Sequence, residues 1–250
     1  MAQVGQNGAV VKLLLFDVDG TLVLTGGAGV RAMNRAFQDV FGVADAFRGV
    51  RMAGGTDPRL LDEALANACL AAADDQVAVF ERTYIRLLGE EILRQPPAGA
   101  ASDMHHQARR WYGPLPGVRA LVETLAPRED VFLALLTGNY SKGAEIKLAR
   151  FDLWRPFRCG AFGEDAGARH GLVPVAVERA RALGCPHVAP RDVVVIGDTV
   201  RDVDCARANG AACVAVATGG DDCRTLGDAG ADRVFATLDD TQAVIDALLA

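Results

Sequence analysis

The sequence predicts an α/β protein with a doubly wound parallel-sheet, Rossmann-like core and an inserted α-helical cap domain. Its short apolar runs are continuously hydrophobic, which is typical of strands that are covered on both faces. Amphipathic segments separate most of these runs, and alternation of strand and helix favours a parallel sheet. A long stretch of helical character interrupts this alternation after the first strand, and it therefore predicts an insertion at that point.

The strands are predicted from apolar runs that are too short for helices. They cover residues 11–18, 131–137, 159–163, 193–197, 212–218 and 233–236. The helices between them are predicted from apolar residues that recur three and four positions apart, as at 118, 121, 122 and 125. They cover residues 118–125, 144–153, 175–183, 201–209 and 240–249.

The inserted cap is predicted because about a hundred residues separate the first two strands, far more than one crossover needs. Helical patterns fill this interval at residues 30–41, 59–70, 74–93 and 103–111. We therefore expect a core domain of residues 1–24 and 113–250 and a cap domain of residues 25–112. Gly26–Gly27 and Gly113–Pro114 are the predicted hinges between the two domains.

Net charge, apolar run length and cysteine spacing argue against several classes of function. The net charge of −6 disfavours nucleic acid and membrane surfaces as partners, because both require a basic patch. No apolar run approaches the roughly 20 residues of a membrane span. The first residues lack the pattern of a secretion signal, and the six cysteines form no C-x-x-C pair. We therefore expect a cytoplasmic protein with reduced thiols, either a monomer or a weak homodimer.

Polar residues follow three of the predicted strands. Ligands bind beyond the carboxyl ends of strands in open α/β sheets, so these residues are expected in one crevice. Four carboxylates in one place imply a bound cation, and carboxylate ligands favour Mg²⁺. The segments are Asp17-Val-Asp19-Gly-Thr21 after the first strand, Thr137-Gly138-Asn139 after the second, and Gly197-Asp198-Thr199 with Asp202 after the fourth.

These motifs resemble the haloacid dehalogenase superfamily, whose members are mostly phosphatases. The order and spacing of D17-x-D19-G-T21, T137-G-N and G197-D198-x-x-x-D202 agree with that superfamily. The insertion lies where members with a helical cap carry theirs. The run "GGTDPRLLDEAL" is similar to a cap segment of members that resemble phosphoglycolate phosphatase, and β-phosphoglucomutase-like members share this subgroup.

The resemblance implies a chemical role for each residue. Asp17 would attack phosphorus to form an aspartyl-phosphate, and Asp19 would protonate the leaving alcohol and later deprotonate the hydrolytic water. The implied magnesium ligands are Asp17, Asp19, Asp198 and Asp202. The implied phosphoryl-binding residues are Thr137, Gly138 and Asn139.

The superfamily's lysine, which pairs the nucleophile with the phosphate, is missing at its expected place. Lys142 and Lys147 follow Thr137 too closely to be that lysine. We expect Arg169, which precedes a predicted helix, to replace it, because a guanidinium stays charged and binds phosphate with two donors. His170 is the alternative candidate.

Several residues allow both a structural and a functional reading. The segment from Gly54 to Pro58 is either a plain helix start, with Asp57 as its cap, or a loop that faces substrate through Thr56. Arg51 is a candidate ligand for a second charge on the substrate. Thr199 is predicted to cap the following helix.

The resulting prediction is a Mg²⁺-dependent phosphatase that acts on a small phosphorylated metabolite, with a phosphoglycolate-like compound as the expected substrate. Dehalogenation is disfavoured because Asp19 is present, and phosphonate cleavage is disfavoured because residues 25–112 contain no lysine. Phosphoryl transfer of the phosphoglucomutase kind and a catalytically silent binding protein stay open as alternatives.

Overall fold

The computed structural model describes residues 11–94 and 111–250. Its main sheet is six-stranded and parallel, in the order β5-β4-β1-β6-β7-β8, and a separate antiparallel pair joins β2 to β3. The strands are β1 Lys12–Phe16, β2 Val23–Thr25, β3 Tyr112–Pro114, β4 Val131–Leu136, β5 Cys159–Ala161, β6 Val193–Gly197, β7 Ala212–Val216 and β8 Arg233–Phe235.

Helices cover the sheet and fill the interval between β2 and β3. They are α1 Ala28–Phe41, α2 Asp57–Asn67, α3 Asp74–Arg94, α4 Val118–Leu125, α5 Ser141–Ala149, α6 Leu172–Ala182, α7 Val200–Ala208, α8 Cys223–Asp228 and α9 Thr241–Leu249. The predicted α/β fold class, a parallel sheet with flanking helices, is confirmed. Among the described residues, no helix is both long and apolar enough to cross a membrane.

Burial on both faces of the sheet explains the continuous apolar runs. Leu14 and Phe16 of β1 belong to one hydrophobic cluster, and Leu13 and Leu15 belong to another on the opposite face. A strand with solvent on one face would alternate apolar and polar residues instead. The centre of the sheet is therefore β1, which pairs with both β4 and β6.

Helices α1, α2 and α3 pack around a third hydrophobic cluster, which is built around Phe37, Phe80 and Tyr84 and also includes Tyr140 from the segment after β4. The chain enters and leaves this helical segment through β2 and β3, which pair with each other, so the two connections run side by side. This short ribbon was not predicted. Residues 103–110 of the fourth predicted helix lie outside the described residues, and the domain boundaries and hinges stay predictions.

Helices α2 and α8 differ from the sequence prediction. Helix α2 begins at Asp57 with Thr56 at the capping position, whereas the helical pattern was predicted over residues 59–70 and Asp57 was one reading of its cap. The carboxylate of Asp57 accepts a hydrogen bond from the Tyr140 N–H at 2.9 Å instead of capping its own helix. Helix α8 is six residues long and was not predicted, because so short a segment shows little periodicity.

The loop before α2 rests directly on the segment that follows β4. The N–H of Asp57 donates to the carbonyl oxygen of Gly138 at 2.6 Å. A Cβ at Gly138 would lie 1.9 Å from the carbonyl oxygen of Gly55. Only glycine fits at position 138 while this loop, residues 54–57, stays in contact with it.

Replacing Gly138 tests this contact. Gly138→Ala should lower the free energy of unfolding by about 1–3 kcal/mol, because a methyl group forced into a filled space displaces backbone. Gly143→Ala, in α5, is the matched control, since its Cβ would meet only ordinary contacts at 3.5 Å. That change should be neutral or stabilising by up to ~1 kcal/mol, as for alanine in a helix. Urea unfolding measures both, and equal effects would contradict the described packing.

Candidate active site

Three adjacent strands bring the predicted site residues together. Because β1 lies between β4 and β6, the residues after them, Asp17, Thr137 and Asp198, meet at one edge of the sheet. Asp17 is fixed by its backbone, whose N–H donates to the Ile196 carbonyl oxygen at 2.8 Å. Thr137 is fixed likewise by the Ala161 carbonyl oxygen at 3.0 Å. All three side chains are buried.

Asp17, Asp198 and Asp202 form a buried acidic cluster. Each offers a carboxylate oxygen, and these three oxygens lie within 4.8 Å of one another. Burial raises the pKa of Asp17 to about 6, and the charges of Asp202 and Asp19 add to the increase, while Arg169 opposes it. Burial and the neighbouring charges of Asp17 and Asp202 also raise the pKa of Asp198 well above its usual range. The cluster thus needs positive charge when it is ionised.

The surroundings of Asp198 fit a hard cation. Its two oxygens accept from the Thr21 hydroxyl at 3.3 Å and the Gly220 N–H at 2.5 Å, both uncharged donors. Glycine stands at positions 20 and 219, where a Cβ would lie 2.4 Å and 2.0 Å from the Asp198 carboxylate. The cluster offers carboxylate oxygens, the ligands that Mg²⁺ prefers. The residues present therefore fit the magnesium ion that the superfamily resemblance implies.

Asp202 has different hydrogen-bond partners from Asp198. One oxygen accepts from the Arg169 guanidinium, through Nε at 3.0 Å and Nη2 at 2.5 Å. The other accepts from both the N–H and the hydroxyl of Thr199, which lies at the capping position of α7. Because one oxygen of Asp202 pairs with a guanidinium, whereas both partners of Asp198 are uncharged, we expect Asp202 mainly to hold Arg169 beside the metal site.

Arg169 lies between the nucleophile candidate and Asp202. Its Nη2 is 3.1 Å from Asp17 Oδ1, and its side chain is only 8% exposed. Burial alone would lower the pKa of Arg169, but the charges of Asp202 and Asp17 outweigh burial and raise it well above its usual value. His170, the alternative candidate, is exposed on the same short 3₁₀ turn. The structure thus places Arg169, and not His170, against Asp17.

Asp19 lies at the more open side of the crevice. One of its oxygens, Oδ2, accepts from the Asn139 side-chain amide at 2.8 Å and from Lys147 Nζ at 2.5 Å. Asn139 also donates to the Thr137 hydroxyl oxygen at 2.7 Å. The motif residues of β1 and β4 are therefore joined by direct hydrogen bonds.

Lys147 is the residue that the sequence analysis missed, because only its distance along the chain from Thr137 was considered. Helix α5 begins two residues after Asn139, and its buried face carries Gly143, Ala144, Lys147 and Leu148. A lysine on an otherwise apolar face was the available signal. It pointed to a buried partner that the sequence pattern alone does not identify.

The loop of residues 54–57 contacts the site through Gly54. The Gly54 carbonyl oxygen lies 3.5 Å from Arg169 Nη1, and the side chain of Thr56 is buried. Arg51 is more remote. Its guanidinium is largely exposed and pairs with Asp221 Oδ1 at 3.0 Å. Its predicted contact with substrate stays a prediction.

Asp57 is a further ionisable group at this contact. Burial raises its pKa to about 7, and the charges of Asp19 and Glu164 act in the same direction. The charge of Lys147 and the hydrogen bond from the Tyr140 N–H partly oppose the increase. The fold therefore favours the protonated acid at this position.

Comparison with known proteins identifies the family. Residues 11–210 match the sequence model of the haloacid dehalogenase-like hydrolases. This match spans most of the chain, and the protein belongs to that family. A search of curated proteins found no match.

Solved structures share the fold at low sequence identity. A hydrolase from Pseudomonas syringae is 22% identical with a TM-score of 0.69, and the alignment covers 96% of this chain and all of the other. A predicted phosphoglycolate phosphatase from Haemophilus somnus is 20% identical with a TM-score of 0.65, over 94% of this chain and 98% of that one. A CbbY mutant from Rhodobacter sphaeroides, in complex with xylulose-1,5-bisphosphate, is 20% identical with a TM-score of 0.68, over 92% and 96%.

The acidic cluster predicts a pH-dependent response to Mg²⁺. Without metal, the raised pKa of Asp17 means that the fold favours the protonated acid, and this contribution is lost as pH rises through about 6. Mg²⁺ binds the ionised form, so it competes with protons. The rise in Tm on adding Mg²⁺ should be several-fold larger at pH 8 than at pH 5. Thermal melts with Mg²⁺ and with chelator measure it.

The control for this prediction is Asp198→Asn, which removes one of the carboxylates that could bind the metal. The Mg²⁺-dependent rise in Tm should be largely lost in that variant at both pH values. A Tm rise of equal size at pH 5 and pH 8, or one retained in Asp198→Asn, would contradict a metal site at these carboxylates.

Asp57 predicts a second pH effect. Its folded pKa of about 7 exceeds the unfolded value near 3.9, so wild-type stability falls as pH rises from about 4 to about 7. Asp57→Asn carries no charge, and its side-chain oxygen still accepts from Tyr140. The variant should gain stability relative to wild type across this window, up to about 4 kcal/mol for three pKa units.

Urea unfolding between pH 4 and pH 8 measures this difference. Asp62→Asn, an exposed position on the same helix, is the matched control for changing an acid to an amide on α2. A difference between Asp57→Asn and wild type that does not vary with pH would show that Asp57 ionises freely in the folded protein.

Proposed function

We propose that the chain is a Mg²⁺-dependent phosphatase, a phosphoric monoester hydrolase that acts on a small phosphorylated metabolite through an aspartyl-phosphate at Asp17. The observation that carries this proposal is the placement of Asp17. It is buried at the carboxyl edge of the sheet, beside Arg169 and within a cluster of carboxylates. A nucleophile, a fixed cation and candidate metal ligands thus share one crevice.

Arg169 gives Asp17 two properties that a nucleophile needs. Its charge favours the ionised carboxylate, which is the form that attacks, against the opposing effect of burial. Its hold on Asp17 Oδ1 also orients the carboxylate. A planar guanidinium can contact a phosphoryl oxygen as well, which is the task of the lysine in other superfamily members.

Asp19 would move the protons. As a general acid it protonates the leaving alcohol, and as a general base it deprotonates the water that hydrolyses the aspartyl-phosphate, a kind of assistance worth about 10²–10⁴-fold. Its side chain is 39% exposed, so it lies where an entering substrate and water would meet it.

Thr137 is arranged to donate to a phosphoryl oxygen. Its hydroxyl oxygen accepts from the Asn139 amide and backbone N–H. A hydroxyl that accepts two hydrogen bonds retains its own proton for donation. Gly138 and Asn139 complete the proposed phosphoryl-binding segment.

The proposed ligands of Mg²⁺ are the carboxylates of Asp17 and Asp198 and the carbonyl of Asp19, with Asp202 beside them. When bound, the ion would screen the carboxylates from the incoming phosphate and stabilise the charge that develops on the phosphoryl oxygens. The uncharged partners of Asp198 leave its own charge available for this purpose.

A phosphoglycolate-like substrate is the proposed specificity. It is supported by the similarity of the chain to a predicted phosphoglycolate phosphatase and by the run GGTDPRLLDEAL, which includes Thr56. In this proposal Arg51 would leave Asp221 to bind a second negative charge of the substrate. All six cysteines are free, which is consistent with the proposed cytoplasmic location. A monomer or weak homodimer stays our proposal for its state.

The first test is phosphate release from a generic aryl phosphate with Mg²⁺ and with chelator. Wild type should release phosphate only with Mg²⁺. Asp17→Asn should lose activity by at least ~10³-fold, because the nucleophile is gone. Arg169→Ala should also lose most activity, and Arg169→Lys should recover part of it if the cation stands in for the superfamily lysine.

The outcomes separate the alternatives. A wild type without activity on aryl phosphates and on a panel of phosphorylated metabolites would support a catalytically silent binding protein. Transfer of the phosphoryl group to a sugar phosphate in preference to water would support a mutase. Full activity in Asp17→Asn would refute the aspartyl-phosphate route.

A further inference from the structure

We infer that Lys147 is a positioning residue that holds Asp19 for proton transfer. The inference rests on the proposed function and adds a residue for which the superfamily resemblance gives no role. Lys147 Nζ lies 2.5 Å from Asp19 Oδ2 and 2.5 Å from Asn139 Oδ1. The lysine side chain is 5% exposed, whereas that of Asp19 is 39% exposed. A fixed, buried cation therefore anchors a more accessible carboxylate.

Asn139 connects Lys147 to Thr137 and gives Asp19 a second hydrogen bond. Because its Oδ1 accepts from the ammonium group, its Nδ2 must face away from Lys147. Nδ2 then donates both to Asp19 Oδ2 at 2.8 Å and to Thr137 Oγ1 at 2.7 Å. A flipped amide would place two N–H donors against an ammonium group that can only donate. Lys147 thus sets the orientation of the amide that joins Asp19 to Thr137.

The burial of Lys147 argues against a role in packing alone. Its neighbours on the buried face of α5 are Gly143, Ala144 and Leu148, so an apolar residue would fit that face without the cost of burying a charge. Lys142, on the same helix, shows the ordinary alternative, since it is exposed and pairs with Glu145. The position of Lys147 is explained by its charged partner.

Lys147 and Arg169 contact different carboxylates. Arg169 contacts Asp17 and Asp202, while Lys147 contacts Asp19 and Asn139. Lys147 is therefore distinct from the cation that pairs with the nucleophile. Losing it should impair proton transfer by Asp19 and leave attack by Asp17 largely intact.

This division predicts a dependence on the leaving group. An alkyl phosphate needs a proton on its leaving oxygen, whereas a nitrophenyl phosphate releases a stable phenolate without one. In Lys147→Met, kcat/KM should fall at least ~10-fold more for the alkyl phosphate than for the nitrophenyl phosphate. For the nitrophenyl phosphate, kcat should fall more than kcat/KM, because hydrolysis of the aspartyl-phosphate still needs Asp19 as a base.

The experiment compares wild type, Lys147→Met, Asp19→Asn and the double variant with Mg²⁺ on both substrates. Asp19→Asn should show the same preference, and adding Lys147→Met to it should cause no more than about a 3-fold further loss, because the two residues act as one unit. Lys142→Met is the matched control, and its kinetics should equal those of wild type. Lys147→Gln, which removes the charge but keeps N–H donors, is the second variant if Lys147→Met does not fold.

A uniform loss on both substrates, or no loss, would overturn the inference while leaving the proposed phosphatase intact. A wild type that releases phosphate from neither substrate would overturn the proposed function, and the role of Lys147 with it. The same four proteins unfolded in urea without substrate provide a separate readout. Additive effects of Lys147→Met and Asp19→Asn on stability would refute the ion pair itself, whatever the activity.

Discussion

The contact on which the rest of the site depends is the buried guanidinium of Arg169 between Asp17 and Asp202. Carboxylates brought together by adjacent strand ends repel one another, and burial removes the water that would screen them. Arg169 offsets part of this cost. Through Asp202 the same cation is linked to Thr199 at the start of α7. Its contact with the Gly54 carbonyl also ties the loop before α2 to the acidic cluster.

A second cation organises the other side of the crevice. Lys147 holds Asp19 and Asn139, so these two residues have a different cationic partner from Asp17 and Asp202, which contact Arg169. The loop of residues 54–57 touches both regions, since Gly54 faces Arg169 while Asp57 binds Gly138 and Tyr140. The contacts that hold this loop against the core therefore involve the same few residues as the contacts that assemble the site.

The strands were predictable because burial on both faces leaves a continuous apolar run, as in β1. The β2–β3 ribbon was not, since each strand has three residues and pairs with a partner distant in the chain. The meeting of Asp17, Thr137 and Asp198 followed from the carboxyl-end rule. The contact of Lys147 with Asp19 depends on how α5 turns back over the crevice, and that geometry is set by tertiary packing. The pKa of Asp57 likewise depends on a contact between distant segments.

The central claim is that Asp17 is the nucleophile, and trapping its covalent intermediate tests that claim most directly. Wild type would be mixed with Mg²⁺ and an aryl phosphate, treated with borohydride, which reduces an acyl phosphate to an alcohol, and digested for mass spectrometry. The account predicts homoserine in place of aspartate at position 17, at a level that depends on substrate and Mg²⁺. Turnover with no reduction at Asp17, or with reduction at another carboxylate such as Asp19, would contradict it.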